Sequence, residues 1–403
     1  MVTDFLKLLV TSLPATPTPG TVKGDEDEVD LQQHLEKLSS QRYPIESNTQ
    51  NRDTMREYII ERMTNYGLEV EQQKFNTTIS EDPIGIDSQY IKVQGTNVIG
   101  IQRAVTEHPG AVVVVGADYD SNGVDDPLFH NGAGVATLLE AARLYTINER
   151  WSGRYVANYT TIFVAFDINT KLHKNSPGHP GGYYFVQNWL MPFLKQNTDY
   201  FGGAIILDSI MNVNYNIYTQ VLSNNFQEMF PETYGRLQDD SNKGNFLAMV
   251  SMGDKAATET LRDQFSGSYR KNRRAERFRL EDMRLQSGMK FDNLLGEFVK
   301  SDNIHFWNAK DASNRTVQLP ALLLTDTKAF RNMEKECVTD PCRAVDLVTE
   351  ERLEFVEATV RSVTTFLFNR QTTRLPEQPS SGMSNLPSTI MTVLMFALVR
   401  LHM

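Results

Sequence analysis

Cysteine is nearly absent from this sequence: Cys337 and Cys342 are the only two among 403 residues, and they form no CxxC pair. That excludes a cysteine-ligated zinc cluster and a scaffold held by several disulfides. An excess of positive charge is also missing, since 40 lysine and arginine residues face 50 acidic ones and the formal net charge is -10. A general nucleic-acid surface needs the opposite balance to neutralise phosphates, so no nucleic-acid partner is expected. No apolar run is long enough to cross a ~30 Å hydrocarbon core as a helix. What is present is ordinary globular material, 40% hydrophobic and 22% charged, in a chain long enough to bury a large core.

Val-Thr-Asp-Pro between the two cysteines is loop material that lets them meet, giving a small-loop disulfide in an oxidising compartment or two free thiols in the cytosol. Asn76, Asn158 and Asn314 each head an Asn-x-Thr sequon, a glycosylation acceptor if the chain enters the secretory pathway. At the start, Met1 to Ala15 is a weak signal peptide, because Asp4 and Lys7 interrupt the apolar stretch around Leu8 to Leu13. Three prolines and the acidic run Asp25 to Glu28 then read as a solvated leader, giving a first segment of residues 1–30. The main domain is expected over 31–370. Residues 371–403 form a linker and tail: Ser380, Ser381 and Gly382 are small, a polar spacer follows, and Ile390 to Val399 is apolar. That order matches a GPI-attachment signal, with one of those three small residues as the attachment point; a frayed tail is the alternative, and Arg400 and His402 suit it. The expected location is the cell surface through a lipid anchor, or the secreted fraction.

Within the main domain the apolar periodicity alternates. Leu31 to Leu68 reads as helical, with Met55, Ile59 and Met63 on one face and Gly67 as the stop. Asn97 to Ile101, AVVVVG (111–116), TIFVAF (161–166), GAIIL (203–207) and ALLLT (321–325) read as buried strands. Helical patterns over 134–145, 183–194 and 353–367 separate or follow them. Polar residues collect just after the strands: Asp118 and Asp120, Asp167, Asp208. The expected fold class is α/β, a three-layer α/β/α sandwich with a mixed, mostly parallel central sheet and its site along the edge formed by the strand ends.

Several of these segments, in this order, resemble the zinc exopeptidase family that includes leucyl aminopeptidases, glutamate carboxypeptidase, glutaminyl cyclases and the non-catalytic transferrin receptor. The likeness runs from about Pro44 to Phe368. It implies the zinc-peptidase fold and a two-zinc centre whose ligand positions are altered here. VVVVGADYDS places Asp118 where the family has a zinc-binding His and keeps Asp120. HNGAG puts His130 at the bridging-carboxylate position. FVAFDINT puts Asn169 and Thr170 where a general-base Glu and a ligand Glu are expected. Leu207-Asp208-Ser209 keeps the ligand Asp208, SDNIHFW replaces the family's His with Asn303, and the last ligand His falls at Glu336.

In such a centre the metals lower the pKa of a bridging water while a nearby Glu takes its proton. Asn169 cannot take that proton, so no intact catalytic residue remains. Asp118, His130 and Asp208, with Glu336, are the residues left to hold a metal, and the expected cofactor is none or a single zinc ion. Asp167, as an exposed strand-end carboxylate, and His173 are substitute bases of low specificity. The basic stretch Tyr269 to Arg284 reads as a site for an acidic partner or as a solvated, charge-compensated face. The expectation is a peptidase-like protein with a binding role toward an unknown protein or peptide ligand. The alternative is a zinc metalloaminopeptidase with a single-metal site.

Overall fold

In the computed structural model the residues described are 25–45, 49–81, 89–105, 110–121, 126–152, 155–169, 176–197, 199–222, 224–253, 255–285, 298, 301–327, 330–331 and 347–374. Thr170, His173, Glu336, Cys337, Cys342, Ser380, Ser381 and Gly382 lie outside them. The chain runs through helices α1 (Asp25–Lys37) and α2 (Thr49–Asn65), then strands β1 (Glu69–Ser80), β2 (Tyr90–Gln102) and β3 (Ala111–Asp118). Helix α3 (Ala133–Ser152), β4 (Tyr155–Ala157) and β5 (Thr161–Phe166) follow. A helical run α4, made of Gly181–Tyr184, Phe185–Leu190 and Met191–Asn197, leads to β6 (Tyr200–Asp208). Next come α5 (Asn224–Met229), α6 (Pro231–Asp239), β7 (Phe246–Met252), α7 (Ala256–Arg270), β8 (Arg279–Leu285) and α8 (Asn303–Trp307). The described chain closes with β9 (Ala309–Lys310), β10 (Thr316–Val317), β11 (Ala321–Thr325), α9 (Glu350–Gln371) and β12 (Thr372–Arg374).

Eight strands form the central sheet in the order β1-β2-β5-β3-β6-β11-β7-β8. Strands β5, β3, β6 and β11 run parallel to one another, and β7 runs parallel to β8. The β1/β2, β2/β5 and β11/β7 pairs are antiparallel. The expected mixed, mostly parallel sheet is therefore present. Every residue of β3 is buried, and its alternate side chains serve two cores: Val113, Val115 and Ala117 on one face, Val112 and Val114 on the other. A β-branched run suits this place because both faces of the pleat meet apolar neighbours. The first core is closed by α1, α2, α3, α7 and α9, the second by α4, α6 and α8, which makes the three layers.

Two boundaries differ from expectation. The acidic run Asp25 to Glu28 belongs to α1 instead of a leader, so residue 30 falls inside a helix. The pattern from Leu31 to Leu68 is two helices, separated by a turn through Tyr43 and Pro44, and both bury apolar residues against the sheet's first face. No helix among the described residues is long and apolar enough to cross a membrane.

Candidate functional site

Because β3, β5, β6 and β11 are parallel, their C-terminal ends share one edge, and their register sets Ala117 beside both Leu207 and Ala165. Asp118 and Asp208 thus end neighbouring strands. Immediately beyond the strand ends the backbone turns sharply, with Ile168 (φ 54°), Ser209 (φ 57°) and Thr327 (φ 63°) all left-handed. For β-branched Ile168 and Thr327 this conformation costs roughly 1–2 kcal/mol, strain that tends to gather where a fold positions chemistry.

The polar side chains at this edge are out of water: Asp118 is 1% exposed, His130 3%, Asn169 3% and Asp208 8%. Asn131 joins them. Its amide donates to Asp118 Oδ1 and to the Leu207 carbonyl, both at 2.8 Å, and its Oδ1 accepts from the Ser209 N–H at 2.8 Å. One side chain therefore ties the end of β3 to the end of β6. Ser209 Oγ donates to the Phe129 carbonyl at 2.8 Å, fixing the turn that carries His130, and Ser301 Oγ donates to Asp208 Oδ2. Asn169 donates its backbone N–H to both carboxylate oxygens of Asp120, at 3.1 and 3.0 Å.

Charge at the edge is dominated by desolvation. Burial first, then Asp167 and Asp118, push the Asp120 carboxyl well above the usual range, against the pull of the Asn169 N–H. Asp167, expected as an exposed carboxylate, is fully buried: it accepts from the Thr96 and Ile168 N–H groups at 2.8 and 3.0 Å and faces Arg52 at 3.8 Å. Burial raises its pKa also, and Arg52 opposes that rise. Held this way it is a structural group and not a free base. Beneath the cluster Arg42 is fully buried and donates to the carbonyls of Tyr119 (2.7 Å), Leu38 (2.5 Å), Ser40 (2.6 Å) and Pro127 (3.0 Å). Burial lowers its pKa to about 10, while Asp120, Asp118 and Asp126 pull the other way.

The arrangement does not fit a metal centre as far as the described residues go. No three or more of their His, Cys, Asp and Glu side chains come together as a metal-binding group. Asp118 gives an oxygen to the Asn131 amide and Asp208 gives one to Ser301, so the two carboxylates are turned to hydrogen-bonding work. His130 is different: neither ring nitrogen has a hydrogen-bond partner among the described residues, although the ring is buried. Asn303 donates to the Phe298 carbonyl at 3.1 Å and is completely buried. Asp118, His130, Asp208 and Asn169, singled out in the sequence, all lie at this edge, and Asn131, Arg42 and Ser301, which the sequence did not single out, bond to the same groups or sit behind them. A buried Asn between His130 and Gly132 was the one available signal.

Among the sequons, Asn76 and Asn314 are exposed, whereas Asn158 is half-buried with its amide donated to Thr373 Oγ1. Within the basic stretch, Arg274, Arg277, Arg279 and Arg284 each face a carboxylate, of Glu357, Glu354, Asp240 and Asp282 in turn. That is the charge-compensated face, with Arg270, Lys271 and Arg273 left exposed beside it.

No protein-family model matches this sequence, and no curated protein matches it by sequence. Solved structures match it by fold. A glutaminyl cyclase of Macrostomum lignano superposes over 90% of this chain and 99% of its own, with a TM-score of 0.53 at 14% identity. An aminopeptidase of Aneurinibacillus sp. strain AM-1 superposes over 89% of this chain and 97% of its own, with a TM-score of 0.53 at 11% identity. The chain has the zinc-exopeptidase fold. Likeness at this identity establishes the scaffold over nearly the whole chain, and the chemistry has to be argued from the site.

Proposed function

We propose that this peptidase-fold protein binds a protein or peptide ligand and does not hydrolyse it. The observation that carries the reading is the residue at the general-base position: Asn169 is a neutral amide, 3% exposed, with its backbone tied to Asp120. An amide cannot accept a proton in the useful range, and loss of a positioned base typically costs about 10²–10⁴ in rate. The neighbouring carboxylates support it too, since they are engaged with Asn131 and Ser301. The test is the purified full-length protein, assayed for zinc by mass spectrometry and for turnover on amino-terminal, carboxy-terminal and amino-terminal-glutamine peptides. No turnover above buffer is expected. Stoichiometric zinc together with turnover abolished by Asp208→Ala would end the proposal.

A second reading, a metalloaminopeptidase with one zinc ion, is favoured by His130, whose buried imidazole has no hydrogen-bond partner on either nitrogen among the described residues. Leaving such groups unpaired costs about 1–3 kcal/mol each, and an ion is one way to recover it. The same assay separates the two. Secretion or display at the cell surface through a lipid anchor belongs to the proposal as well. Exposed Asn76 and Asn314 support it as acceptors, and a mass shift on peptide-N-glycosidase treatment and release by phosphatidylinositol-specific phospholipase are the expected results.

A further inference from the structure

Of the six large hydrophobic side chains exposed among the described residues, three fall within five positions: Ile217 (58%), Tyr218 (68%) and Val221 (47%). Their loop leaves the end of β6 and so lies on the same sheet edge as the buried polar cluster. It is not a loose excursion. Asn214 and Gln220 bridge to Gly244 and Arg331, the Tyr218 N–H donates to the Ser241 carbonyl at 2.8 Å, and the Val221 N–H donates to the Phe330 carbonyl at 2.6 Å. Between the exposed residues, Thr219 and Gln220 are buried: Thr219 Oγ1 accepts from the Gly244 N–H, and Gln220 Oε1 accepts from Thr327 and Arg331. Tyr218, Ser241 and Asn242, in the two adjoining turns, all take left-handed backbone conformations. For Tyr218 that conformation costs roughly 1–2 kcal/mol, so the turn holds its ring in water against a backbone preference.

The composition of the segment points the same way. From Ser209 to Gln227 no residue is charged, in a chain where 22% are. Tyrosine, asparagine and serine with a few aliphatic residues is the make-up of loops built for contact: rigid aromatic area at low entropic cost, with amides for adaptable hydrogen bonds. An uncharged segment can be desolvated cheaply, so it suits an apolar contact surface. The net charge of -10 disfavours a second copy and attracts a partner of opposite charge at long range.

We infer that the loop carrying Ile217, Tyr218 and Val221 is a preorganised docking surface for another protein, one with an apolar contact patch and a net positive charge. This names the surface for the binding role proposed above, but an active enzyme could carry it equally, so peptide turnover does not bear on it. The test places a photo-crosslinking amino acid at 217 in the full-length protein in its own cells. The crosslinked protein is then purified, and its association with wild type, Ile217→Asp, Tyr218→Ser and Val105→Asp is measured. Val105 is 69% exposed but follows β2 at the opposite end of the sheet, so it serves as the control. The expected result is one basic partner, affinity lowered at least about tenfold by Ile217→Asp and by Tyr218→Ser, and no change with Val105→Asp. Association should slow by about tenfold or more between 50 and 500 mM NaCl, with dissociation little altered. Crosslinks to a second copy, crosslinks scattered over many proteins, or equal affinity of folded Ile217→Asp would each overturn the inference.

Discussion

Two parts of this molecule treat charge in opposite ways. At the strand-end edge, Asp118, Asp120, Asp167 and Asp208 are at most 8% exposed and are held by backbone N–H groups, an amide and a hydroxyl, with Arg42 and Arg52 behind them. On the flank formed by β8 and α9, arginines meet carboxylates in or near the open: Arg277 with Glu354, Arg284 with Asp282. Buried charge must be answered group by group because desolvation costs several kcal/mol per ion, whereas solvated pairs are nearly interchangeable. The lesson is that density of charged residues does not mark a site. The unusual edge is the one where charge is withdrawn from water.

Changes at the two places should differ accordingly. The largest effect is expected for Arg42→Ala, which leaves four backbone carbonyls short of a donor and Asp120 and Asp118 without their buried cation: a loss on the order of 4 kcal/mol in urea unfolding. A loss under about 1 kcal/mol would show that the edge is not held by that guanidinium. Asn131→Ala should follow at about 3 kcal/mol, since it removes three 2.8 Å hydrogen bonds between strand ends. If calorimetry finds wild-type stability, the tie between β3 and β6 resides elsewhere.

His34 sharpens the comparison from a third place, under α1. Its ring is 1% exposed, bonded to the Tyr58 hydroxyl at 2.6 Å and the Tyr66 hydroxyl at 3.1 Å, and burial, with Arg62 and Arg143, lowers its pKa to about 3. Glu140 stands 3.9 Å away but is paired with Arg143, so the contact is to a neutral imidazole. The folded pKa lies below the unfolded value of 6.5. Stability from this group is therefore complete above pH 6.5 and is lost as pH falls toward 3, by about 2 kcal/mol at pH 5 at 1.36 kcal/mol per unit. Stability curves at pH 7 and 5 should converge for His34→Gln. The smallest effect belongs to the flank, where Arg277→Ala should cost less than about 1 kcal/mol and less still in high salt. A cost above 2 kcal/mol there would erase the contrast.

The fold was largely legible before the structure, for a local reason. AVVVVG, TIFVAF, GAIIL and ALLLT are continuous apolar runs, and only strands covered on both faces demand that composition. Asp118 and Asp208 were legible as residues that end such runs. The groups that answer them were not: Ser301 reaches Asp208 across 93 positions and Arg42 reaches Tyr119 across 77. Nothing in a local pattern reports such contacts. For the same reason Asp167 reads as an exposed polar residue until β2 supplies Thr96 and Asn97 beside it. The break between α1 and α2 was hidden because both helices bury residues on the same face, so the apolar period passes through the turn.

Strand β11 lies between β6 and β7, pairing with both, although more than a hundred residues of chain separate it from the end of β6. Emerging from a ribosome, this protein would present β6 with one side of its backbone unzipped until residues 321–325 arrive. Closure of the middle of the sheet is therefore among the late events of its synthesis. Shortening the chain before that point leaves an open seam of the kind that recruits chaperones or other nascent strands.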